Sequence, residues 1–116
     1  MNAIITEKIE RMMERDNTHP QDKEREALFV IICGNQELYE IRERIYNFKE
    51  HCIEPDILET GICTSSKRMI EIGFNLFNNF QSNTTNILNS FSGLDFNNYK
   101  LAMQAIDIRM GYNINR

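Results

Sequence analysis

Seven consecutive apolar residues, Ala27-Leu28-Phe29-Val30-Ile31-Ile32-Cys33, follow the charged stretch Asp22-Lys23-Glu24-Arg25-Glu26 and stop at Gly34. A run this continuous has no polar face to offer water, so the element it forms must be buried on every side. Val30, Ile31 and Ile32 would suit a strand, but the helix-favouring lead-in predicts a helix from about Gln21 to Cys33, with Gly34 as its stop. The run is far short of the ~18 consecutive apolar residues of a membrane span. A chain of 116 residues has room for one such core, because single cores serve roughly 100–150 residues, so residues 1–116 read as one domain.

The other segments carry helical periods that could surround this element. Ile5, Ile9, Met12 and Met13 form an amphipathic first helix, broken at Asn17-Thr18-His19-Pro20, where proline removes an N–H and pushes its predecessor toward extended backbone. Asn35 is placed to cap a third helix, in which Leu38, Ile41, Ile45 and Phe48 recur at helical steps to about His51. Pro55 and Gly61 bracket a short helical turn, and Thr64-Ser65-Ser66 offers cap hydroxyls to the next helix. That helix, near residues 66–80, has a broad face of Met69, Ile70, Gly73, Phe74, Leu76, Phe77 and Phe80, which suggests a central element. Asn83-Thr84-Thr85 could cap a short helix bearing Ile87, Leu88 and Phe91; Asp95 caps a last one, with Tyr99, Met103, Ile106 and Met110 in one stripe before Gly111. No alternating strand stands out. The expected fold is therefore all-α, a compact single-domain bundle of five to seven helices.

Composition narrows the function classes. The chain is 41% hydrophobic and 26% charged, near the average for globular domains, and its formal charge of −4 lacks the positive field that non-specific nucleic-acid or anionic-membrane binding needs. The N-terminus mixes charges into its apolar positions from Glu7 onward, unlike a secretory leader, so the expected location is cytoplasmic. Three cysteines, Cys33, Cys52 and Cys63, cannot all pair; each adjoins an isoleucine and is read as a buried, reduced thiol.

The blocks DKEREALFVIICGN (22–35), IYNFKEHCI (45–53) and GICTSSKRMIEIGFNLFN (61–78) resemble a family of small bacterial proteins labelled a domain of unknown function, over Asp22 to Met110. That family carries no assigned activity to transfer. Such families are common in Gram-positive bacterial genomes and their mobile elements, which implies, by analogy alone, a phage- or defence-related setting.

One spacing resembles a catalytic motif. Arg44 and His51, in RIYNFKEH, are similar to the Arg-x4–6-His signature of HEPN ribonucleases, all-α domains of comparable size. The resemblance implies that Arg44 engages a scissile phosphate and His51 performs acid–base chemistry on a ribose hydroxyl, without metal. Ile45 departs from the pattern, where a polar residue is usual. With eight arginines and two histidines, about 0.4 such matches arise by chance, and the reading preferred for the pair is an ordinary salt-bridging Arg with a helix-end His. No metal site is expected, since Cys33, His51, Cys52 and Cys63 lack the close ligand pairs of zinc sites, and five scattered glycines make no phosphate loop or other cofactor site.

The segment Ile72–Leu94 contains no ionisable side chain, yet holds Phe74, Phe77, Phe80 and Phe91 among six asparagines. Charge depletion with aromatic enrichment marks the cores of protein interfaces, although plain burial of the rings would leave the same trace. Residues 1–59 carry 14 acids and 8 bases, against 3 acids and 5 bases in residues 60–116, so the net acidity belongs to the first half. The functional expectation is a non-enzymatic protein–protein interaction module binding a protein partner or a second copy of itself. Asn75, Asn78, Asn79 and Phe80 are the candidate partner-binding residues, joined by Lys67 and Arg68, whose charges open a helix against its macrodipole unless Glu71 offsets them. In a mobile-element setting its concrete form is an inhibitor of a host defence nuclease; the ribonuclease using Arg44 and His51 is the alternative.

Overall fold

The apolar run forms a helix, and it is the axis of the molecule. In the computed structural model, which describes residues 1–112, α2 (Lys23–Gly34) is capped by Asp22, whose Oδ1 accepts from the Arg25 N–H at 2.9 Å. Every residue from Ala27 to Cys33 is buried, enclosed by α1 (Ala3–Arg15), α5 (Thr64–Asn78) and α7 (Phe96–Met110). At ~1.5–3 kcal/mol per large side chain, Leu28 to Ile32 alone contribute on the order of 10 kcal/mol before chain-ordering entropy is counted. Two glycines allow the close approach. A Cβ on Gly34 would lie 2.3 Å from Leu101 Cδ1, and one on Gly73 would lie 2.9 Å from Leu28 Cδ1.

α1 begins at Asn2, whose side chain accepts from the Ile5 N–H at 2.8 Å, and turns Ile9 and Met12 inward. It stops where Asn17 enters the left-handed region at φ 55°. The helix expected from Asn35 to His51 is shorter and broken. Asn35 caps α3 (Gln36–Glu40), accepting from Leu38 N–H at 3.2 Å; Ile41 interrupts it, and α4 (Arg42–Ile45) adds one turn. The chain then forms an antiparallel ribbon that the periodicity did not suggest, β1 (Tyr46–Asn47) against β2 (Cys52–Ile53), with Tyr46 opposite Ile53. Asn47 accounts for the break. Its Oδ1 accepts from the N–H groups of Lys49 and Glu50 at 2.9 and 2.8 Å, giving the backbone a turn in place of the next helical bonds.

A 3-10 turn (Pro55–Glu59) leads to α5, which starts one residue earlier than the hydroxyl cluster implied, with Cys63 as its N-cap. α5 presents Met69, Ile70, Ile72, Gly73 and Phe74 to the interior and ends at Asn79, left-handed at φ 63°. α6 (Ile87–Phe91) is capped by Asn86, which accepts from Asn89 N–H at 2.8 Å, rather than by Asn83 to Thr85. α7 is capped as expected by Asp95, accepting from Asn98 N–H at 2.7 Å, and Gly111 closes it at φ 83°. Seven α-helices, the 3-10 turn and one two-stranded ribbon thus make up the regular structure of the described residues, a mostly helical domain.

Two sequence expectations are corrected by the packing. The stripe Tyr99, Met103, Ile106, Met110 is not the inner face of α7; Leu101, Ala102 and Ala105 are buried, while Tyr99 and Met110 are exposed. Of the cysteines only Cys33 is buried, its thiol pushed up to about 12 by burial, whereas Cys52 and Cys63 are exposed. In β2 the inward position belongs to Ile53, so strand alternation turns Cys52 outward despite its apolar neighbour.

Candidate functional site

Two surface features stand out. The first is an apolar groove of about 420 Å³ between the end of α5, α6 and α7. Ile72 and Leu76 come from α5, Ile87 and Phe91 from α6, Ile106 and Met110 from α7, with Asn75, Asn79 and Thr85 at its polar edge. Its wall is fixed from below by Glu71. This fully buried carboxylate accepts from Thr84 Oγ1 at 3.1 Å and Thr85 Oγ1 at 3.4 Å, which holds the loop after α5 against that helix. Arg109 fastens the other wall, its Nε donating to the Leu76 carbonyl at 2.7 Å.

α7 is apolar on both sides. Leu101, Ala102 and Ala105, with Ile108, pack inward; Phe96, Tyr99, Met103 and Met110 fall within an arc of about 60° on the opposite side at 100° per residue. Ile106 lies at the edge of that arc and faces the groove. Phe91 meets Tyr99 edge to face with ring centroids 6.1 Å apart, joining α6 to the outer stripe. Ile87, Leu88, Phe96, Tyr99, Met110 and Tyr112 are 47–80% exposed. Lys100 and Asp107 adjoin the outer stripe on its other side, so α7 carries two apolar stripes and is not apolar all round.

The candidate residues read from the sequence divide around this face. Asn75 and Asn79 line the groove. Asn78 and Phe80 instead finish α5: Asn75 Nδ2 donates to the Phe80 carbonyl at 3.1 Å, Asn78 Oδ1 accepts from Phe80 N–H at 3.1 Å, and the Phe80 ring packs on Phe74. Lys67 and Arg68 stand at the other end of α5, about 18 Å away along the helix from Asn79. Glu71 does not offset Lys67, being buried and committed to the threonines; among the described residues no ion pair engages Lys67 or Arg68. The exposed α7 residues were missed as binding candidates because their helical spacing resembles that of a core face.

The second feature is a polar pocket of about 290 Å³ at the junction of α1, α2 and the ribbon, lined by Asp16, Thr18, His19, Asp22, Arg25 and His51. Asp16 is its centre, with a side chain only 1% exposed. It accepts from Thr18 Oγ1 at 2.8 Å, from Tyr46 Oη at 3.0 Å and from His51 Nδ1 at 2.7 Å, and it pairs with Arg25 Nε at 3.2 Å. Arg25 also reaches Asp22 through Nη1 at 2.9 Å and donates from Nη2 to the His51 carbonyl at 2.8 Å. Burial works against the guanidinium charge, but its bonds to Tyr46 and Asp22 outweigh that and raise its pKa. Burial raises the Tyr46 hydroxyl to about 12. Asp22 is lowered, since Arg25 more than compensates its desolvation. His51 adopts φ 57°, a left-handed backbone held by these contacts.

The network joins three elements and leaves no described buried side-chain polar atom without a partner. It does not include Arg44, which sits exposed on α4, whereas His51 lies in the ribbon turn; no hydrogen bond links them. The third helix expected to carry both Arg44 and His51 ends at Ile45, between them. Asp16, Arg25 and Tyr46 were not singled out from the sequence. The one available signal was Asp16 itself, an acid at a helix C-terminus, where the macrodipole disfavours it.

Among the described residues, no group of three or more His, Cys, Asp or Glu side chains could hold a metal ion, and no helix is long and apolar enough to cross a membrane. The fold and these surfaces define a small, mostly α-helical domain with a locked polar junction on one side and an uncovered apolar face on another. The chain belongs to a family of unknown function, DUF6075, whose model matches residues 2–116. Neither the curated proteins nor the solved structures contain a match to it.

Proposed function

We propose that the protein is an interaction module that binds a protein partner through the outer stripe of α7, α6 and the adjoining groove. The observation that carries this reading is the two-sided apolar character of α7, whose outer residues Phe96, Tyr99 and Met110 are exposed. The uncharged segment from Ile72 to Leu94 supplies the floor and near wall of the same face, so a partner docking there displaces water without stripping hydration from an exposed charge within that segment. Large exposed apolar patches on small soluble domains mark such sites.

Leu88→Glu tests this reading, because Leu88 is 76% exposed and its replacement puts a carboxylate on the face with little loss of packing. Affinity purification from the native cell should recover a partner with the wild-type chain and lose it with Leu88→Glu, while the far-ultraviolet circular dichroism of the two proteins coincides. Identical recovery with both chains would refute the assignment of this face.

A further inference from the structure

We infer that the partner seated on this face is a second copy of the same chain, related by a two-fold axis that crosses α7 near Met103. This rests on the reading of the face as an interaction surface and names its occupant.

Three observations favour a second copy. The first is area. At ~150–250 Å² for a complete large side chain, the exposed fractions of Ile87, Leu88, Phe96, Tyr99, Met110 and Tyr112 leave on the order of 700 Å² uncovered, close to the ~800 Å² per partner of a standard interface. The second is shape. A two-fold contact requires a patch complementary to itself, and a helical stripe laid antiparallel on its own copy meets that condition, with the groove between α5, α6 and α7 along its edge. The third is charge. The chain as a whole is acidic, so self-association through most of its surface would oppose like charges, but Ile72–Leu94 has no ionisable group and the charges of α7 beside the outer stripe, Lys100 and Asp107, are of opposite sign.

The register follows from the stripe. Antiparallel apposition of two α7 helices about Met103 sets Phe96 of each copy against Met110 of the other, an aromatic ring against a thioether, at both ends of a contact about 21 Å long. Tyr99 and Ile106 lie inside these end contacts, on the stripe and at its groove edge.

The test is mass measurement by light scattering during size-exclusion chromatography of the full chain. At about 100 µM the wild type should run at about twice the monomer mass of 13.7 kDa. Phe96→Glu and Met110→Lys, both at exposed positions, should each run as monomers with unchanged circular dichroism. Mixing the two should restore a dimer, because the assigned register brings the new carboxylate against the new ammonium. A monomeric wild type overturns self-docking, as does a dimer that both variants retain or a mixture that stays monomeric. The broader reading falls separately: a monomeric wild type that still captures a partner lost in Leu88→Glu keeps the face as an interaction surface, whereas loss of neither mass nor partner in any variant removes both.

Discussion

Asp16→Asn should be among the most damaging single substitutions in the chain, although it removes no carbon atom. The carboxylate is nearly inaccessible and takes Thr18, Tyr46, His51 and Arg25 as partners at 2.7–3.2 Å. An amide in its place keeps one acceptor oxygen and turns an NH2 group toward donors. Arg25, still partly buried, keeps Asp22 but loses its innermost counter-charge. Breaking one side of a buried pair costs about 3–5 kcal/mol, against a total stability of about 5–15 kcal/mol for a domain of this size. At a urea slope of about 1–3 kcal/mol/M the midpoint should fall by roughly 2 M, read from the helical circular dichroism signal. Tyr46→Phe keeps the ring packed on Phe29 and Phe48 and loses only the hydroxyl, so about 1–2 kcal/mol is expected. His51→Ala, at a half-exposed side chain, should cost less, about 1 kcal/mol. Because the three residues share one carboxylate, the Asp16→Asn and His51→Ala effects should combine to less than their sum. If Asp16→Asn unfolds within 1 kcal/mol of wild type, or the two effects add fully, the network does not fasten the three elements together and the reasoning fails.

Two further expectations rest on single contacts. Cys63, exposed and lowered by its hydrogen bonding with Ser66 and Ser65, should be alkylated by iodoacetamide well before Cys33, which is buried and pushed up to about 12; mass mapping after brief labelling at neutral pH would expose the reverse order. Gly34→Ala should destabilise by about 1–3 kcal/mol despite the better helix propensity of alanine, because the new methyl falls on Leu101; a thermal midpoint equal to or above that of wild type would show that α7 yields without cost.

The legible part of the fold was the part governed by continuous patterns. A seven-residue apolar run admits one environment, and α2 occupies it. Local caps were legible where the polar side chain had an N–H two or three residues ahead, as at Asn35 and Asp95. The third helix failed because helical spacing of Leu38, Ile41, Ile45 and Phe48 is necessary for a helix without excluding the turn that Asn47 builds. The polar junction was hidden for a different reason. Its members are 16, 18, 22, 25, 46 and 51 in the chain, and only the ribbon brings the last two beside the first four. Of the proposed binding surface, the charge-free segment was visible, but the identity of its outward residues was not. Asn75 and Asn79 fell on the groove while Asn78 and Phe80 became the end of a helix, a distinction set by where α5 terminates.

The two halves of the chain solve opposite problems, and α7 shows how. In the acidic half, charges are drawn inward and neutralised: Asp16 and Asp22 enclose Arg25, and the enclosure holds α1, α2 and the ribbon in one arrangement. In the second half the charges are few, and the buried carboxylate Glu71 has hydroxyl partners on the very loop that borders the groove. A domain that needed α7 only for its own core could have placed Lys or Glu at Phe96, Tyr99 and Met110, since none of them is buried there. Polar residues at those three positions would leave Leu101, Ala102 and Ala105 packed as they are. Tyr99 meets the Phe91 ring, but Phe96 and Met110 stand exposed, and the proposed docking would account for their apolar character.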